Sequence, residues 1–215
     1  MTTILAIDCA TGPCSVAVWD GARIAAYVEN IKPVMQSASL IPMVEDALKQ
    51  SGMRYADIKL VASTVGPGSF TGIRVGLASA QGIAFAAGIA SRGFTTLKVL
   101  AYAARPATET GGSILAVLQA GKGEWYYQYF SAAANPKALS EPKLGLLEQI
   151  AKEAPSLPVI VSGNAALPED GFTPCGITFP RADALVQLAA DSANFQALKP
   201  FYIRPPDAKL PTKNL

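Results

Sequence analysis

Asp8 is the carboxylate best placed for chemistry, because it follows the first apolar run and precedes a turn that carries Thr11 and Gly12. A carboxylate in such a place can hold magnesium while the amides of the turn bind phosphate. The alternative is structural, with Asp8 holding the turn. The corresponding turn in the second half, residues 119–123, has no acid, and the amide of Gln119 cannot replace a carboxylate as a base or cation ligand.

A glycine-rich loop, Gly66-Pro67-Gly68-Ser69, resembles a phosphate cradle at a helix N-terminus, where amides and the helix dipole attract anions. It lacks the Lys-Ser/Thr ending of a P-loop. The alternative is a glycine-built turn that brings a small-residue helix close to its neighbours. The two turns give five candidate phosphate or nucleotide residues: Asp8, Thr11, Gly12, Gly68 and Ser69. On this interpretation the chain is an ATP-dependent small-molecule kinase.

The composition excludes much metal and hydrolytic chemistry, because the chain has no histidine. Histidine-ligated metals, Ser-His-Asp triads and Cys-His pairs all need that residue. Cys9, Cys14 and Cys175 lack paired metal-ligand spacing, so we expect reduced, buried thiols and no metal. A net charge of +2 does not indicate nucleic-acid binding by the chain alone. The N-terminus lacks a basic segment and Asp8 interrupts its apolar run, so we expect no secretory signal and a cytoplasmic protein.

A run of residues without a single charge, 75–91, is predicted to be helical. A helix that is apolar all round must be buried all round, and a sheet covers only one side. Small residues recur at every fourth position: Gly72, Gly76, Ala80, Ala84 and Gly88. Such a stripe lets another helix approach closely, which predicts docking, while the alternative is close packing on the chain's own sheet. The run is too short and too rich in Ala, Gly and Ser for a membrane span.

We predict that two helices, residues 40–50 and 71–87, form a four-helix interface with a partner or with a second copy of the chain. A stable interface of this kind buries at least about 1,000 Å². Ser39 is expected to cap the first helix. The predicted interface residues come from both helices: Leu40, Met43, Val44, Ala47, Gly72, Val75, Gly76, Ser79, Ala80 and Ile83.

The alternation of strands and helices predicts an α/β fold with two lobes, residues 1–106 and 107–215, joined by the Pro-, Thr- and Gly-rich stretch 105–112. Strands are predicted at residues 4–7, 14–19, 23–29, 60–64, 89–94, 114–118, 125–130 and 159–161. Further helices are predicted from Thr95 or Thr96, over 144–154 and over 182–190, followed by an extended tail, 200–207. The aromatic strand 125–130 is expected to alternate between core and surface, and base stacking on its exposed rings makes an RNA-binding module the second alternative.

The motif Gly-Pro-Gly-Ser-Phe-Thr-Gly-Ile-Arg-Val-Gly at residues 66–76 resembles the hallmark of the TsaB (YeaZ-like) family. Members of that family are the dimerisation subunit of the bacterial machinery that makes threonylcarbamoyladenosine in tRNA. Similar segments occur at residues 4–8, 14–18, 95–97, 123–126 and 200–204. The chain departs from the family pattern at residues 8–10, 36–38 and 119–122, where it has Asp-Cys-Ala, Gln-Ser-Ala and Gln-Ala-Gly-Lys. None of these departures touches the predicted docking helix.

The resemblance implies two ribonuclease-H-like lobes of the actin/Hsp70 (ASKHA) superfamily, the second reduced, in a non-catalytic scaffold. It implies pairing with a catalytic threonylcarbamoyltransferase paralogue (TsaD-type) or with a second copy, recruitment of a small P-loop ATPase (TsaE-type), and contact with tRNA only through the complex. It implies no membrane association and no cofactor on this chain alone, with ATP or ADP and a metal on the partner subunits. The missing histidines agree, because metal-dependent transfer needs ligands that this chain does not have.

Overall fold

Two five-stranded sheets of the same connectivity form the framework of the protein. The structure is a computed structural model that describes residues 2–31, 36–107, 112–165, 167 and 170–204, with the side chains of residues 36 and 37 outside that description. Within these residues, no helix is both long enough and apolar enough to cross a membrane.

The first sheet has the strand order β3-β2-β1-β4-β5. Its strands are β1 (Ile4–Asp8), β2 (Cys14–Trp19), β3 (Ile24–Asn30), β4 (Leu60–Gly66) and β5 (Ala90–Thr95). The first three form an antiparallel meander, and β4 and β5 run parallel to β1. The turn between β2 and β3 is held as predicted, because the Asp20 carboxylate accepts hydrogen bonds from the amides of Ala22 and Arg23, both at 2.8 Å.

Three helices accompany this sheet: α1 (Gln36–Ser51), α2 (Phe70–Ala87) and α3 (Thr96–Ala103). The last two begin directly after residues whose hydroxyls cap them, and for α3 this agrees with the predicted start at Thr95 or Thr96. The Ser69 hydroxyl accepts from the Gly72 amide at 3.2 Å, and the Thr95 hydroxyl accepts from the Lys98 amide at 3.2 Å. The helix α2 ends at Gly88, which is left-handed with a φ of 63°.

The second sheet repeats the plan of the first, in the order β10-β9-β6-β7-β8. Its strands are β6 (Ser113–Gly121), β7 (Glu124–Ser131), β8 (Lys143–Gly145), β9 (Val159–Gly163) and β10 (Phe172–Pro174), with helices α4 (Leu147–Lys152) and α5 (Ala182–Asp191). Here too the first three strands are antiparallel and the last two run parallel to the first. Residues 164–171 alone connect β9 to β10, too few for a counterpart of α2. The predicted α/β fold with two units of the same strand plan, the second reduced, is confirmed by this topology.

Both faces of the first sheet are covered by helices, so β1 and β4 are buried along their whole length. Helices α1 and α2 pack on one face. Helix α5, far along the chain, packs on the other face together with side chains of α3. The lobe division at residues 106 and 107 stays a prediction, and part of the stretch 105–112 lies outside the described residues.

Two predicted helix boundaries were wrong. Helix α1 begins at Gln36, so Ser39 lies inside the helix and does not cap it. Pro42 also lies inside α1. Because proline has no amide hydrogen, the helix lacks one backbone hydrogen bond at this exposed position. The predicted helix 144–154 begins only at Leu147, because residues 143–145 pair with β7 as the short strand β8. A short apolar run fits a strand and a helix equally well until its neighbour is known.

Candidate functional site

The Asp8 carboxyl lies inside the protein, with 1% of the residue exposed. Its Oδ1 accepts a hydrogen bond from the Thr64 hydroxyl at 2.6 Å and a longer one from the Ala10 amide at 3.4 Å. Its Oδ2 is buried and has no hydrogen-bond partner in the part of the chain that the structure describes. Burial raises the pKa of Asp8 to about 7, although both hydrogen bonds act in the opposite direction. The group is therefore partly protonated near neutral pH and is not presented to solvent as a cation ligand.

The polar groups of the glycine-rich loop are already engaged within the protein. The Ser69 amide donates to the Ala10 carbonyl at 2.6 Å, while the Ser69 hydroxyl caps α2. A Cβ on Gly68 would collide with the same carbonyl oxygen of Ala10. These contacts favour the structural interpretation, in which glycine lets this loop pack closely on the β1–β2 loop. A phosphate-binding role for Gly68 and Ser69 stays a prediction.

A disulfide closes the β1–β2 loop between Cys9 and Cys14, whose Cα atoms are 4.3 Å apart. The expectation that these two cysteines are reduced was therefore wrong. Asp8 and Ser15 are the last paired residues of the antiparallel strands β1 and β2. Cys9 follows Asp8 and Cys14 precedes Ser15, so the hairpin register brings the two cysteines face to face. In the same loop the Thr11 hydroxyl is buried and has no hydrogen-bond partner among the described residues, and Gly12 has a φ of 120°. Over those residues no group of three or more Asp, Glu, Cys or His side chains is arranged to hold a metal ion.

The small-residue stripe of α2 faces the protein's own sheet, which corrects the predicted interface. A Cβ on Gly76 would lie 3.6 Å from the Ser63 hydroxyl of β4 and 3.8 Å from the Cys9 Cβ. Seven of the ten predicted interface residues are buried inside this chain: Leu40, Met43, Val44, Ala47, Gly72, Gly76 and Ala80. Their burial within the chain leaves them little or no surface for a partner. The small side chains serve close packing of α2 on its sheet, which was the alternative interpretation of the stripe.

The opposite flank of α2 is exposed and uncharged. We define the docking flank as Ala78, Ser79, Gly82, Ile83, Phe85 and Ala86 of α2 together with Ile41 of α1 and Tyr55. It includes two of the three predicted interface residues that are only partly buried, Ser79 and Ile83; the third is Val75. Phe85 is 91% exposed, and beside it a groove of about 660 Å³ lies between α1, α2 and residues 55–59.

Phe85 was missed by the sequence analysis, although a signal for it was present. Nine residues at 100° each place Phe85 half a turn away from Gly76 on an α-helix. If the glycine stripe packs on the sheet, Phe85 must therefore point outward. The predicted interface combined residues of the glycine stripe with Ser79 and Ile83 and did not decide which side of the helix faces outward.

The aromatic strand offers no open platform of rings. Tyr127, Tyr129 and Phe130 of β7 are each no more than 2% exposed, because both faces of this strand are covered. The expected alternation between core and surface was therefore wrong. Base stacking, on which the RNA-binding alternative depends, needs exposed rings.

Comparison with known proteins shows which protein family this chain matches. Residues 35–163 match the family model described as TsaD: tRNA N6-adenosine threonylcarbamoyltransferase. The tRNA threonylcarbamoyladenosine biosynthesis protein TsaB of Escherichia coli (strain K12) is 39% identical over 133 residues, which cover 61% of this chain and 56% of that protein. The TsaB protein of Haemophilus influenzae (strain ATCC 51907 / DSM 11121 / KW20 / Rd) is 31% identical over 140 residues, 65% of this chain and 57% of that protein. The match thus spans little more than half the length of these curated relatives.

The fold also has a close counterpart among solved structures. A Pseudomonas aeruginosa protein, described as uncharacterized with similarity to peptidase YeaZ, superposes with a TM-score of 0.83. The two chains are 24% identical, and the superposition covers 95% of this chain and 100% of the other. The predicted TsaB (YeaZ-like) resemblance is confirmed by these relatives. The chain belongs to the family of the tRNA N6-adenosine threonylcarbamoyltransferase (TsaD) model, and among the proteins compared it resembles the TsaB (YeaZ-like) proteins.

Proposed function

We propose that this chain is the non-catalytic docking subunit of the machinery that forms threonylcarbamoyladenosine in tRNA. Its docking flank would pair with a catalytic threonylcarbamoyltransferase paralogue (TsaD-type). The observation that carries the proposal is the exposed, uncharged flank of α2, on which the Phe85 side chain lies almost fully in solvent. Exposed apolar surface beside a groove is typical of protein interfaces, and large aromatic side chains are their usual anchors. The names of the TsaB relatives support the reaction sequence in which the pair acts.

A docking role without catalysis agrees with the chemistry of the chain. The sequence has no histidine, and the Asp8 carboxyl is buried on Thr64 and so gives no support to the kinase alternative. On this proposal ATP or ADP and a metal belong to the partner subunits. A small P-loop ATPase (TsaE-type) joins the pair, and tRNA is bound only by the complex.

The proposal is tested by titrating the full-length chain with the catalytic paralogue of the same organism in a calorimeter. The Phe85→Asp variant should keep the melting temperature, because its side chain touches little of its own protein. It should bind the paralogue at least about 30-fold more weakly, since loss of an anchor residue costs 2 kcal/mol or more. The matched control is Leu139→Asp, which changes a half-exposed apolar residue of the second lobe and should leave the affinity unchanged.

Two outcomes would contradict the proposal. One is a Phe85→Asp variant that binds the paralogue as tightly as the unchanged chain does. The other is threonylcarbamoyl transfer by the purified chain without any partner. Sedimentation of the chain alone then decides whether the docking flank also joins two copies, because Phe85→Asp should convert such a dimer to monomers.

A further inference from the structure

Another cavity, of about 560 Å³, lies between the two sheets and shares no lining residue with the groove of the docking flank. One wall is the junction of β5 and α3. The facing wall is β7 with the loop of residues 135–142, and residues 192–196 close a third side. Its volume is within the range of small-molecule sites, which occur preferentially where two structural units meet.

The walls of this cavity are fixed by hydrogen bonds, so its shape is preformed. The Gly93 amide donates to the Gln196 carbonyl at 2.7 Å, and the Gln196 amide donates back to the Gly93 carbonyl at 2.9 Å. A Cβ on Gly93 would lie 2.5 Å from Val65 Cγ1, so only glycine lets these segments approach. On the facing wall the Gln128 side-chain amide donates to the Ser140 carbonyl at 2.8 Å. A ligand would find the cavity already formed.

The cavity contains an ammonium group whose charge is not neutralised by a carboxylate. Lys98 Nζ donates to the Asn194 carbonyl at 3.3 Å, and in the described residues no carboxylate oxygen lies within 4 Å of it. Burial lowers the pKa of Lys98, because a desolvated ammonium is less stable than a hydrated one. The other charged lining residues are Lys137 and Glu141, so the lining carries a net positive charge. An anion placed beside Lys98 would recover the solvation that the ammonium has lost.

Four phenylalanines are among the residues that line the same cavity as this cation: Phe94 and Phe130 are no more than 2% exposed, whereas Phe195 and Phe201 present more of their surface. Phe195 is 46% exposed and its ring packs against the Arg92 guanidinium, 4.6 Å from the ring centroid. We propose that this cavity binds a small aromatic anion, with its carboxylate or phosphate paired to Lys98 and its ring packed against Phe195 and Phe201. The site is separate from the docking flank, so the proposal does not depend on the proposed function.

The test is calorimetric titration of the full-length chain with benzoate, phenyl phosphate and neutral benzyl alcohol. We expect at least one anion to bind with a Kd below about 1 mM, and benzyl alcohol to bind at least about tenfold more weakly, because a charged hydrogen bond is worth that factor. The comparison of benzoate with phenyl phosphate identifies the preferred head group. Failure of both anions to bind would overturn the proposal.

Substitutions of Lys98 and Phe195 test whether the anion binds in this cavity. Lys98→Met removes the charge, keeps most of the length of the side chain and should weaken binding of the preferred anion at least about tenfold. Lys49→Met, which changes an exposed lysine of α1, should not change the affinity. Phe195→Ala changes a half-exposed ring and gives a second measurement if Lys98→Met does not fold; it should weaken binding by about threefold or more. Unchanged affinity in a folded variant of either residue would refute the assignment.

Discussion

The buried carboxyl of Asp8 predicts an unusual dependence of stability on pH. Its pKa in the folded protein is about 7, against 3.8 for an ordinary aspartate. Between these values the folded protein holds a proton that the unfolded chain has released, so the free energy of unfolding contributed by this group falls as the pH rises. At 1.36 kcal/mol per pKa unit the loss is about 4 kcal/mol between pH 4 and pH 8.

The Asp8→Asn variant isolates this contribution. An amide keeps an acceptor for the Thr64 hydroxyl and the Ala10 amide but cannot ionise. The stability of the variant relative to the unchanged chain should therefore rise by about 4 kcal/mol from pH 4 to pH 8. Urea unfolding, followed by tryptophan fluorescence at several pH values, measures this difference. Asp170→Asn, at an exposed position, is the control and should show no such change. A stability difference between Asp8→Asn and the unchanged chain that is the same at every pH would refute the reasoning.

Two further predictions follow from the packing of α2 and from the cysteines. Gly76→Arg should destabilise the protein by at least about 3 kcal/mol, because it forces a charge between helix and sheet. Gly82→Arg in the same helix should be tolerated, since a Cβ there meets nothing within 4 Å. Thermal unfolding followed by circular dichroism compares the two variants, and equal melting temperatures would show that α2 packs differently. Protein denatured without reductant should expose a single reactive thiol, that of Cys175, and three after reduction; three thiols before reduction would mean that the other two are not bonded.

Local chemistry made much of the fold predictable from the sequence. The alternating and apolar runs gave the strands of the first sheet, and the hydroxyls of Ser69 and Thr95 marked the starts of α2 and α3. In each case the information lies within a few residues of the feature that it determines. In the second half the sequence predicted three of the five strands, β6, β7 and β9.

Features decided by distant residues were not predictable in this way. An uncharged helix has no polar side to indicate its outer face, and the orientation of α2 is set by Ser63 and Cys9, which precede it in sequence on other elements. The cysteine pair depends on strand register, and the short strand β8 depends on the presence of β7 beside it. For the candidate interface, the sequence predicted α2 with Ser79 and Ile83 but not the exposed Phe85.

The position of α5 has a consequence for synthesis of the protein. This helix covers one face of the first sheet, yet its residues, Ala182–Asp191, are made long after the strands that they cover. While the ribosome completes the second half, that apolar face lacks α5 and has only side chains of α3 to cover it, and the N-terminal portion cannot reach its final form ahead of the rest. Nascent chains interrupted before this helix would therefore expose an apolar sheet face, which makes them substrates for chaperones and proteases.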